Sequence, residues 1–284
     1  MNGKRTVSFI IITAIYILAT AVGVLTYSLL DLPVFLAVLI ADIVATAVTF
    51  VFSLIFSNAS VYDPYWSVQP IVIAFAFLIG KPLSLVNLLP VIAIVLWGVR
   101  LTANWAYTFM GIEHQDWRYT MLKEKTGAFY PVVNFVGIHL VPTLVVYACV
   151  MPVVEVLNST SLTLNALSVV FFAVSVLAMV LQLVADSQMH AYRKHKATPF
   201  IRVGLWKYSR HPNYLGEILM WWGIGLYALS VMPDKWFVIV GAILNTLLFL
   251  FVSIPLAEGK QSKKEGYDLY KKQTRALLPV YKKQ

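Results

Sequence analysis

One stretch of the sequence decides the fold class: residues 163–193 read TLNALSVVFFAVSVLAMVLQLVADSQMHAYR. The part before Gln182 is almost entirely apolar, and roughly 20 apolar residues, rising about 1.5 Å each, allow an α-helix to cross a bilayer. Beyond that point polar residues recur at intervals of three or four and share one helix face. They are Gln182, Asp186, His190 and Arg193. Because an ionised carboxylate is costly in lipid, this face is expected to lie against other helices or a water-filled cavity.

The rest of the chain repeats the apolar pattern. Hydrophobic residues make up 60% of the 284 positions and charged residues 12%, whereas a soluble domain carries about a quarter charged residues. We therefore predict an all-α fold, a polytopic transmembrane helical bundle of about eight spans with a short cytoplasmic helical segment at the C-terminus. The predicted spans are 7–29, 33–57, 67–82, 86–108, 130–156, 163–189, 214–232 and 236–257. The third is short and would form a hairpin with the fourth.

Basic residues set the expected orientation, because Lys and Arg in short loops stay on the cytoplasmic side. With the N-terminus inside, all of the 22 Lys and Arg residues except Lys81 and Lys235 fall in inner segments or at adjoining helix ends. Both termini are then cytoplasmic, and we expect a multi-pass protein of the bacterial inner membrane. The net charge of +9 follows from this insertion signal and from attraction to anionic lipid headgroups. Membrane lipids are therefore expected partners, and nucleic acid is not.

Three segments follow from this arrangement. Residues 1–65 hold the N-terminal transmembrane helices, residues 66–180 hold the middle ones with a cytoplasmic loop at 109–128, and residues 181–284 hold most of the polar motifs. The apolar run near the start is longer than that of a signal peptide and lacks a small-residue cleavage site, so we interpret it as a retained helix. The single cysteine, Cys149, cannot form an intramolecular disulfide. We predict no metal site.

A second polar group lies at residues 204–217, GLWKYSRHPNYLGE. Pro212 suits the first turn of a helix, and Asn213 and Glu217, four residues apart, would then share one side of it with Tyr214 nearby. An open helix N-terminus beside arginines is a natural site for phosphate and other anions. We therefore place the candidate site at the inner ends of the sixth and seventh spans. The polar residues elsewhere in the spans are interpreted as separate packing contacts; they are Asp42, Asn134 and His139.

The same residues carry a family resemblance. The stretch 204–217, followed by Tyr267, Tyr270, Thr274 and Pro279, resembles the C-terminal domain of the steroid 5-alpha-reductase family. More closely, it resembles the bacterial branch called domain of unknown function 1295. Its Arg-His-Pro-x-Tyr signature is also similar to that of sterol C14 reductases and isoprenylcysteine carboxyl methyltransferases. The resemblance covers residues from about 180 to 280, with weaker similarity from about residue 95.

The resemblance implies a cavity open to the cytoplasm that binds NADPH, and an enzyme that passes hydride to the β-carbon of a lipophilic, steroid- or isoprenoid-like enone. Asp186 matches the family's cofactor-binding Asp, and Asn213 and Glu217 match its Asn-aromatic-x-Gly-Glu element. Arg100 is similar in position to an arginine that contacts the cofactor. The candidate cofactor-binding residues are Arg100, Gln182, Asp186, Arg193, Arg202, Arg210, His211, Asn213, Tyr214, Glu217 and Glu258.

The resemblance is less complete for the residues that bind the substrate. In the steroid reductases a Glu and a Tyr on earlier helices hold the substrate carbonyl, and this sequence offers Asp63 in their place, between Tyr62 and Tyr65. A carboxylic acid can donate a hydrogen bond at neutral pH only if burial raises its pKa. The candidate catalytic residues are Asp63, Tyr65 and Glu217.

Two other functions remain open. A membrane methyltransferase using S-adenosylmethionine would share the Arg-His-Pro-x-Tyr helix and a Glu before the C-terminal segment, here Glu258. Asp186, Asn213 and Glu217 favour the reductase over this alternative. A non-enzymatic scaffold or transporter would carry polar residues along the full depth of several spans, whereas the sequence concentrates them at the inner ends.

Overall fold

The computed structural model describes residues 3–279, and within this range the fold is all-α. Seven helices of the described residues are long and apolar enough to cross a membrane, so the chain is an integral multi-pass membrane protein. Two basic residues of the predicted cytoplasmic tail, Lys282 and Lys283, lie outside the described residues. The helices are α1 Gly3–Leu29, α2 Val34–Ile55, α3 Tyr65–Leu78, α4 Leu85–Thr108, α5 Trp117–Asn158, α6 Ala166–His195, α7 Pro212–Val231, α8 Trp236–Gln261 and α9 Tyr267–Gln273.

The chain folds as two compact units. Unit 1 comprises the residues up to Ile79 together with Trp97–Met151, and unit 2 comprises Gly80–Leu96 together with the residues from Pro152 onward. Helices α4 and α5 each contribute to both units. The division differs from the three consecutive segments expected from the sequence, because helices that pack together need not be consecutive in the chain.

Hydrogen bonds show which helix ends lie together in unit 1. Arg5 Nη2 donates to the carbonyl of Ala106 (2.7 Å), and Asn58 Nδ2 donates to the carbonyl of Ile112 (2.6 Å). The start of α1, the end of α2 and the end of α4 therefore share one end of unit 1, which we call the Arg5 end. Because the chain leaves α2 at this end and returns to it through α4, it must cross the unit in between.

Helix α3 makes the second part of this crossing with 14 residues, a length of about 21 Å. Tyr65, at its start, packs edge-on against Tyr16 in the middle of α1, with ring centroids 5.7 Å apart. Phe77, near its end, packs against Tyr27 near the end of α1 at 5.8 Å. Helix α3 therefore runs beside the second half of α1. The predicted third span is a helix too short to cross a bilayer unaided, and it begins inside the unit.

Helix α5 begins within the predicted cytoplasmic loop 109–128. Asp116 caps it by accepting a hydrogen bond from a backbone N–H two residues later (2.9 Å). Gly127, with a φ of +52°, interrupts the regular helix, and a π-helical turn follows at Asn134–Leu140. The expected loop therefore contains a short polar helix, Trp117–Thr126, before the apolar span begins.

In unit 2, α6 and α7 approach closely because small residues line their contact. A Cβ atom added to Gly216 would lie 2.7 Å from the Ala178 carbonyl oxygen, and one added to Gly223 would lie 2.1 Å from Ser175 Oγ. Glycine at these positions, seven residues apart on α7, permits the approach. Pro212 occupies the first turn of α7, as the sequence predicted. The packing sets the polar start of α7 against the polar end of α6.

Charged residues mark the two ends of unit 2. At one end, Lys81 Nζ bonds to Asn158 Oδ1 (3.0 Å) and Lys235 Nζ bonds to Glu155 Oε2 (2.5 Å). These two lysines are the basic residues that the sequence placed on the outer side. The end of α6, the start of α7 and helix α9 lie at the other end. We call it the basic end, because the other Lys and Arg residues of the described part of unit 2 lie there.

Candidate functional site

The candidate site in unit 2 lies where α6 and α7 meet near the basic end. Gln182 and Asp186 belong to α6, and Asn213 and Glu217 belong to α7. Asn213 Nδ2 lies 3.5 Å from Asp186 Oδ1, and the side chain of Gln182 packs against Gly216. The structure thus brings together the polar faces of the predicted sixth and seventh spans.

Among the described residues, two buried atoms of this group find no hydrogen-bond partner: Gln182 Nε2 and Asn213 Oδ1. An amide nitrogen donates and an amide oxygen accepts, so the two residues offer one donor and one acceptor. A buried polar atom left unpaired costs about 1–3 kcal/mol. In native proteins such an atom calls for a specific explanation, such as a water, an ion or a ligand. These two atoms therefore mark a place where a polar ligand group would be stabilised.

Glu217 lies one helical turn beyond Asn213 and is buried. Its Oε1 accepts a hydrogen bond from the indole Nε1 of Trp221 at 3.0 Å, and that indole is buried as well. The bond orients the carboxyl group within the protein. Glu217 is therefore an acceptor held within the protein by Trp221, and not a charge facing solvent.

A cluster of charged residues at the basic end surrounds Glu258. Arg210 makes the closest contacts: its Nε donates to Glu258 Oε1 at 2.7 Å, and its Nη2 lies 2.5 Å from the same oxygen. His211 Nε2 lies 3.4 Å from that oxygen, and Lys271 Nζ lies 2.9 Å from Oε2. Arg210 and Glu258 are both buried, so losing Arg210 would leave the buried carboxylate with only His211 and the partly exposed Lys271.

The Glu258 cluster also anchors the C-terminal segment. Arg210 Nη1 donates to the carbonyl oxygens of Lys271 (3.2 Å) and Thr274, at the end of α9. We expected Arg210, His211 and Glu258 to contact a cofactor. In the structure Arg210 contacts Glu258 and the C-terminal segment, and His211 contacts Glu258, so the cluster holds this segment in place. Their contact with a cofactor stays a prediction.

The remaining predicted cofactor residues differ in their surroundings. Arg193, at the end of α6, and Arg202, in the loop before α7, are exposed at the basic end. Tyr214 stacks on His211, with ring centroids 5.1 Å apart and an interplanar angle of 6°. Arg100 belongs to unit 1. Arg193 and Arg202, unlike the buried Arg210, are accessible to an anionic ligand.

The candidate acid Asp63 lies in unit 1, in the turn between α2 and α3. Its Oδ1 accepts a hydrogen bond from the hydroxyl of Tyr119 at 2.6 Å, whereas Tyr62 and Tyr65, its neighbours in sequence, bond elsewhere. Burial raises the pKa of Asp63 from 3.8 to about 6, although the nearby Arg118 guanidinium opposes the change. This is the direction that a hydrogen-bond-donating carboxylic acid requires.

Sequence reasoning missed the partner of Tyr65. Its hydroxyl donates to Asp42 Oδ1 at 3.0 Å, and Gln69 Nε2 donates to Asp42 Oδ2 at 2.6 Å. Tyr65 and Gln69 are four residues apart on α3 and so share a face. That spacing is visible in the sequence. The helix that this face contacts is not, because it depends on how α2 and α3 pack.

Further polar residues continue from Asp42 along the buried face of α2. They follow at helical spacing and are Thr46, Thr49 and Ser53. They meet polar residues of α5: Thr46 Oγ1 lies 2.9 Å from Thr143 Oγ1, and Ser53 Oγ accepts a hydrogen bond from Asn134 Nδ2 at 3.0 Å. Asp42 and Asn134, which we interpreted as separate packing contacts, therefore belong to one buried polar network.

His139 joins the same network through Tyr62. The two rings lie 4.6 Å apart, and the Tyr62 hydroxyl lies 2.8 Å from Thr143 Oγ1. Three buried atoms of the network have no hydrogen-bond partner in the described part of the chain: Gln69 Oε1, Asn134 Oδ1 and His139 Nε2. Unit 1 therefore has its own polar interior, which the sequence presented as isolated residues.

These observations define a class of protein: a polytopic helical membrane protein whose two units each bury polar groups between their helices. The chain belongs to the family described as protein of unknown function (DUF1295), whose model matches residues 49–274. It is 25% identical over 225 residues to an uncharacterised protein, C594.04c, of Schizosaccharomyces pombe. That match covers 69% of this chain and 63% of the relative, so the chain spans less than two thirds of the relative's length. No solved structure matches the chain.

Proposed function

We propose that this protein is an integral membrane oxidoreductase that uses NADPH to reduce the carbon–carbon double bond of a lipophilic enone, steroid- or isoprenoid-like. The observation that carries the proposal is the convergence of four polar side chains at the α6–α7 contact. They are Gln182, Asp186, Asn213 and Glu217. Their pattern resembles the cofactor-binding element of the steroid 5-alpha-reductase family.

Gln182 and Asn213 fit the nicotinamide end of the cofactor. A carboxamide carries one carbonyl acceptor and one N–H donor group, which complement the unpartnered Gln182 Nε2 and Asn213 Oδ1. Binding such a group would remove the cost of about 1–3 kcal/mol for each unpaired atom. Asp186, half-buried beside Asn213, is suited to accept a hydrogen bond from a ribose hydroxyl.

Arg193 and Arg202 fit the anionic part of the cofactor. Both are exposed at the basic end, and a guanidinium group matches phosphate oxygens with two parallel hydrogen bonds. Arg210 serves a different purpose, because its guanidinium is bonded to Glu258 and to the backbone near α9. It supports the site by fixing the C-terminal segment.

When bound, NADPH would supply the hydride. The chain's own part is to orient the ring, to exclude water, and to stabilise the charge that develops on the substrate oxygen. The candidate acids for the last task are in unit 1: Asp63, whose pKa is raised by burial, and Tyr65, whose hydroxyl is bonded to Asp42.

The basic residues support a cytoplasmic position for the candidate site. In the described part of unit 2 they gather at the basic end, apart from Lys81 and Lys235, and in unit 1 Lys4 and Arg5 begin α1 at the Arg5 end. The positive-inside rule assigns both ends to the cytoplasm. We therefore propose that both termini are cytoplasmic, that the membrane is a bacterial inner membrane, and that anionic headgroups lie against the basic end.

Thermal stabilisation of the detergent-purified protein tests the cofactor. A ligand at about 100 times its Kd stabilises the native state by about 2.7 kcal/mol, so NADPH should raise the Tm and S-adenosylmethionine should not. N213A should abolish this shift. N87A should retain it, because Asn87 bonds to the Pro82 carbonyl away from the basic end of unit 2. Stabilisation by S-adenosylmethionine alone would indicate a methyltransferase, and stabilisation by neither compound would end the cofactor proposal.

A second candidate function is favoured by the buried face of α2. A non-enzymatic scaffold or transporter would carry polar residues along the depth of a span, and unit 1 has such a row from Asp42 to Ser53. The double variant D186N/E217Q separates the two functions. It should abolish NADPH binding in a reductase and leave a scaffold or transporter functional.

A further inference from the structure

Five buried side chains of unit 1 form one continuous chain of polar contacts. The hydroxyl of Tyr62 lies 2.8 Å from Thr143 Oγ1, which lies 2.9 Å from Thr46 Oγ1. Thr46 also lies against Tyr65, whose hydroxyl donates to Asp42 Oδ1 at 3.0 Å. Each of the five is at most 6% exposed. The chain therefore joins the turn before α3 to a carboxyl group inside the unit.

The hydroxyl groups of this chain can pass a proton in either direction. In both contacts of Thr143, either oxygen can be the donor. A hydroxyl group donates and accepts at once, so it can release one proton while it takes another from its opposite neighbour. When all links shift together, each hydroxyl ends with one proton, and no charge stays on Thr or Tyr.

Asp42 is suited to hold the proton at the inner end of these five side chains. It lies about 12 Å along α2 from the helix start, and in the described residues no Lys or Arg pairs with it. Gln69 Nε2 donates to Asp42 Oδ2, while Gln69 Oε1 has no partner. A half-turn of this amide would present Oε1 to a protonated Asp42. The titratable groups facing Asp42 are Tyr62, Tyr65 and Tyr147.

The outer end of the chain reaches groups that exchange with water. Tyr62 precedes Asp63, which is partly exposed and accepts a hydrogen bond from Tyr119. Burial raises the pKa of Asp63 to about 6, so this carboxyl gains and loses protons close to neutral pH. His139, which is fully buried, also faces Tyr62, and its Nε2 has no partner within residues 3–279. Asp63 is therefore the residue suited to take up a proton from water and to deliver it to the chain.

We propose that these five side chains form a proton relay. It connects the aqueous surface at the Arg5 end with Asp42, which stores a proton inside a transmembrane helix. One proton reaches Tyr62 from water by way of Asp63, and one leaves Tyr65 for the Asp42 carboxylate, so no other reactant is required. An ionisable residue within a span is a functional site by default. Under the proposed reductase function, the relay reloads the Tyr65–Asp42 acid. The proton exchange itself does not depend on that function.

Hydrogen–deuterium exchange of the Asp42 carboxyl, followed by infrared spectroscopy of the purified full-length protein, tests the relay. A protonated carboxyl has a C=O stretch separate from those of amides and carboxylates. Lowering the pH should produce such a band, and D42N should lack it. After transfer to heavy water the band should shift quickly in the wild type and slowly in T143V and Y62F. T143S, which keeps the hydroxyl group, should restore the wild-type rate.

The control is T102V, which removes another hydroxyl group of unit 1. Thr102 Oγ1 bonds to Ser67 Oγ at 2.8 Å outside the relay, so this variant should exchange like the wild type. The proposal is overturned if D42N keeps the C=O band of the protonated carboxyl, or if this band shifts as fast in Y62F as in the wild type. Y62F alone decides the matter if T143V does not fold. The experiment needs neither NADPH nor substrate, so the relay and the reductase function can fail separately.

Discussion

Glu258 in unit 2 and Asp42 in unit 1 are both buried carboxyl groups on helices of membrane-spanning length, and their partners are of opposite kinds. Glu258 has Arg210, Lys271 and His211 within 3.4 Å. Asp42 accepts hydrogen bonds from a phenol and an amide, Tyr65 and Gln69, at 3.0 and 2.6 Å.

The difference follows from position along the helices. Glu258 lies near the end of α8, where long basic side chains can reach it from the surface. Asp42 lies inside α2, where a Lys or Arg would have to be buried at high cost. Glu258 is therefore an anchor whose charge is matched by its partners. In the part of the chain that the structure describes, no cation pairs with Asp42, which suits a group that changes its protonation state.

The largest expected effect on stability comes from the Glu258 cluster, which anchors the C-terminal segment. R210A removes the main cation beside Glu258, and losing one partner of a buried ion pair costs about 3–5 kcal/mol. Thermal unfolding should show this loss, and trypsin should cut the lysine-rich link between α8 and α9 faster. R202A, at an exposed arginine, should change stability by no more than about 0.5 kcal/mol. Equal Tm values for the two variants would show that the Glu258 cluster is not an anchor.

Asp63 is intermediate between Glu258 and Asp42, because it is partly buried and has Arg118 nearby. Its folded pKa of about 6 exceeds the ordinary 3.8, so the folded state holds the proton more tightly than the unfolded chain. The resulting stability is present below about pH 4 and is lost as the pH rises through about 6. Relative to D63N, the wild type should lose about 1–2 kcal/mol over this range, allowing for partial exposure.

Thermal unfolding of the wild type and D63N across this pH range checks the prediction for Asp63. The difference between their stabilities should change between about pH 4 and 6 and stay constant above that range. Parallel profiles would mean that Arg118 offsets the effect of burial, and Asp63 would then resemble Glu258.

The smallest expected effect concerns Asp42. Y65F removes a hydrogen-bond donor to its carboxyl and should cost about 1 kcal/mol, since Gln69 still donates. In a D42N background the cost should shrink, because the two residues act as a pair. Y27F is the control, since the contact of Tyr27 with Phe77 involves the ring alone. The same loss from Y65F in both backgrounds would show that Tyr65 and Asp42 are not coupled.

Much of the candidate site in unit 2 could be predicted, because its residues are close in sequence. Gln182 and Asp186 follow one helix face, and Asn213 and Glu217 follow the next, after a proline that starts the helix. Consecutive helices usually lie next to each other in the fold. Arg210 was harder to place, because its partner Glu258 is 48 residues away in the sequence.

The sequence by itself determined the all-α membrane fold, most of the spans and the polar faces of α6 and α7, because apolar length and helical periodicity are local properties. Tertiary structure decided that α3 is short, that Arg210 holds α9, and that Asp42, Thr46, Thr143 and the two tyrosines form one chain. Such contacts join residues up to 97 positions apart, as between Thr46 and Thr143. The pattern within one helix shows which face is polar, but the partner of that face depends on how the helices pack.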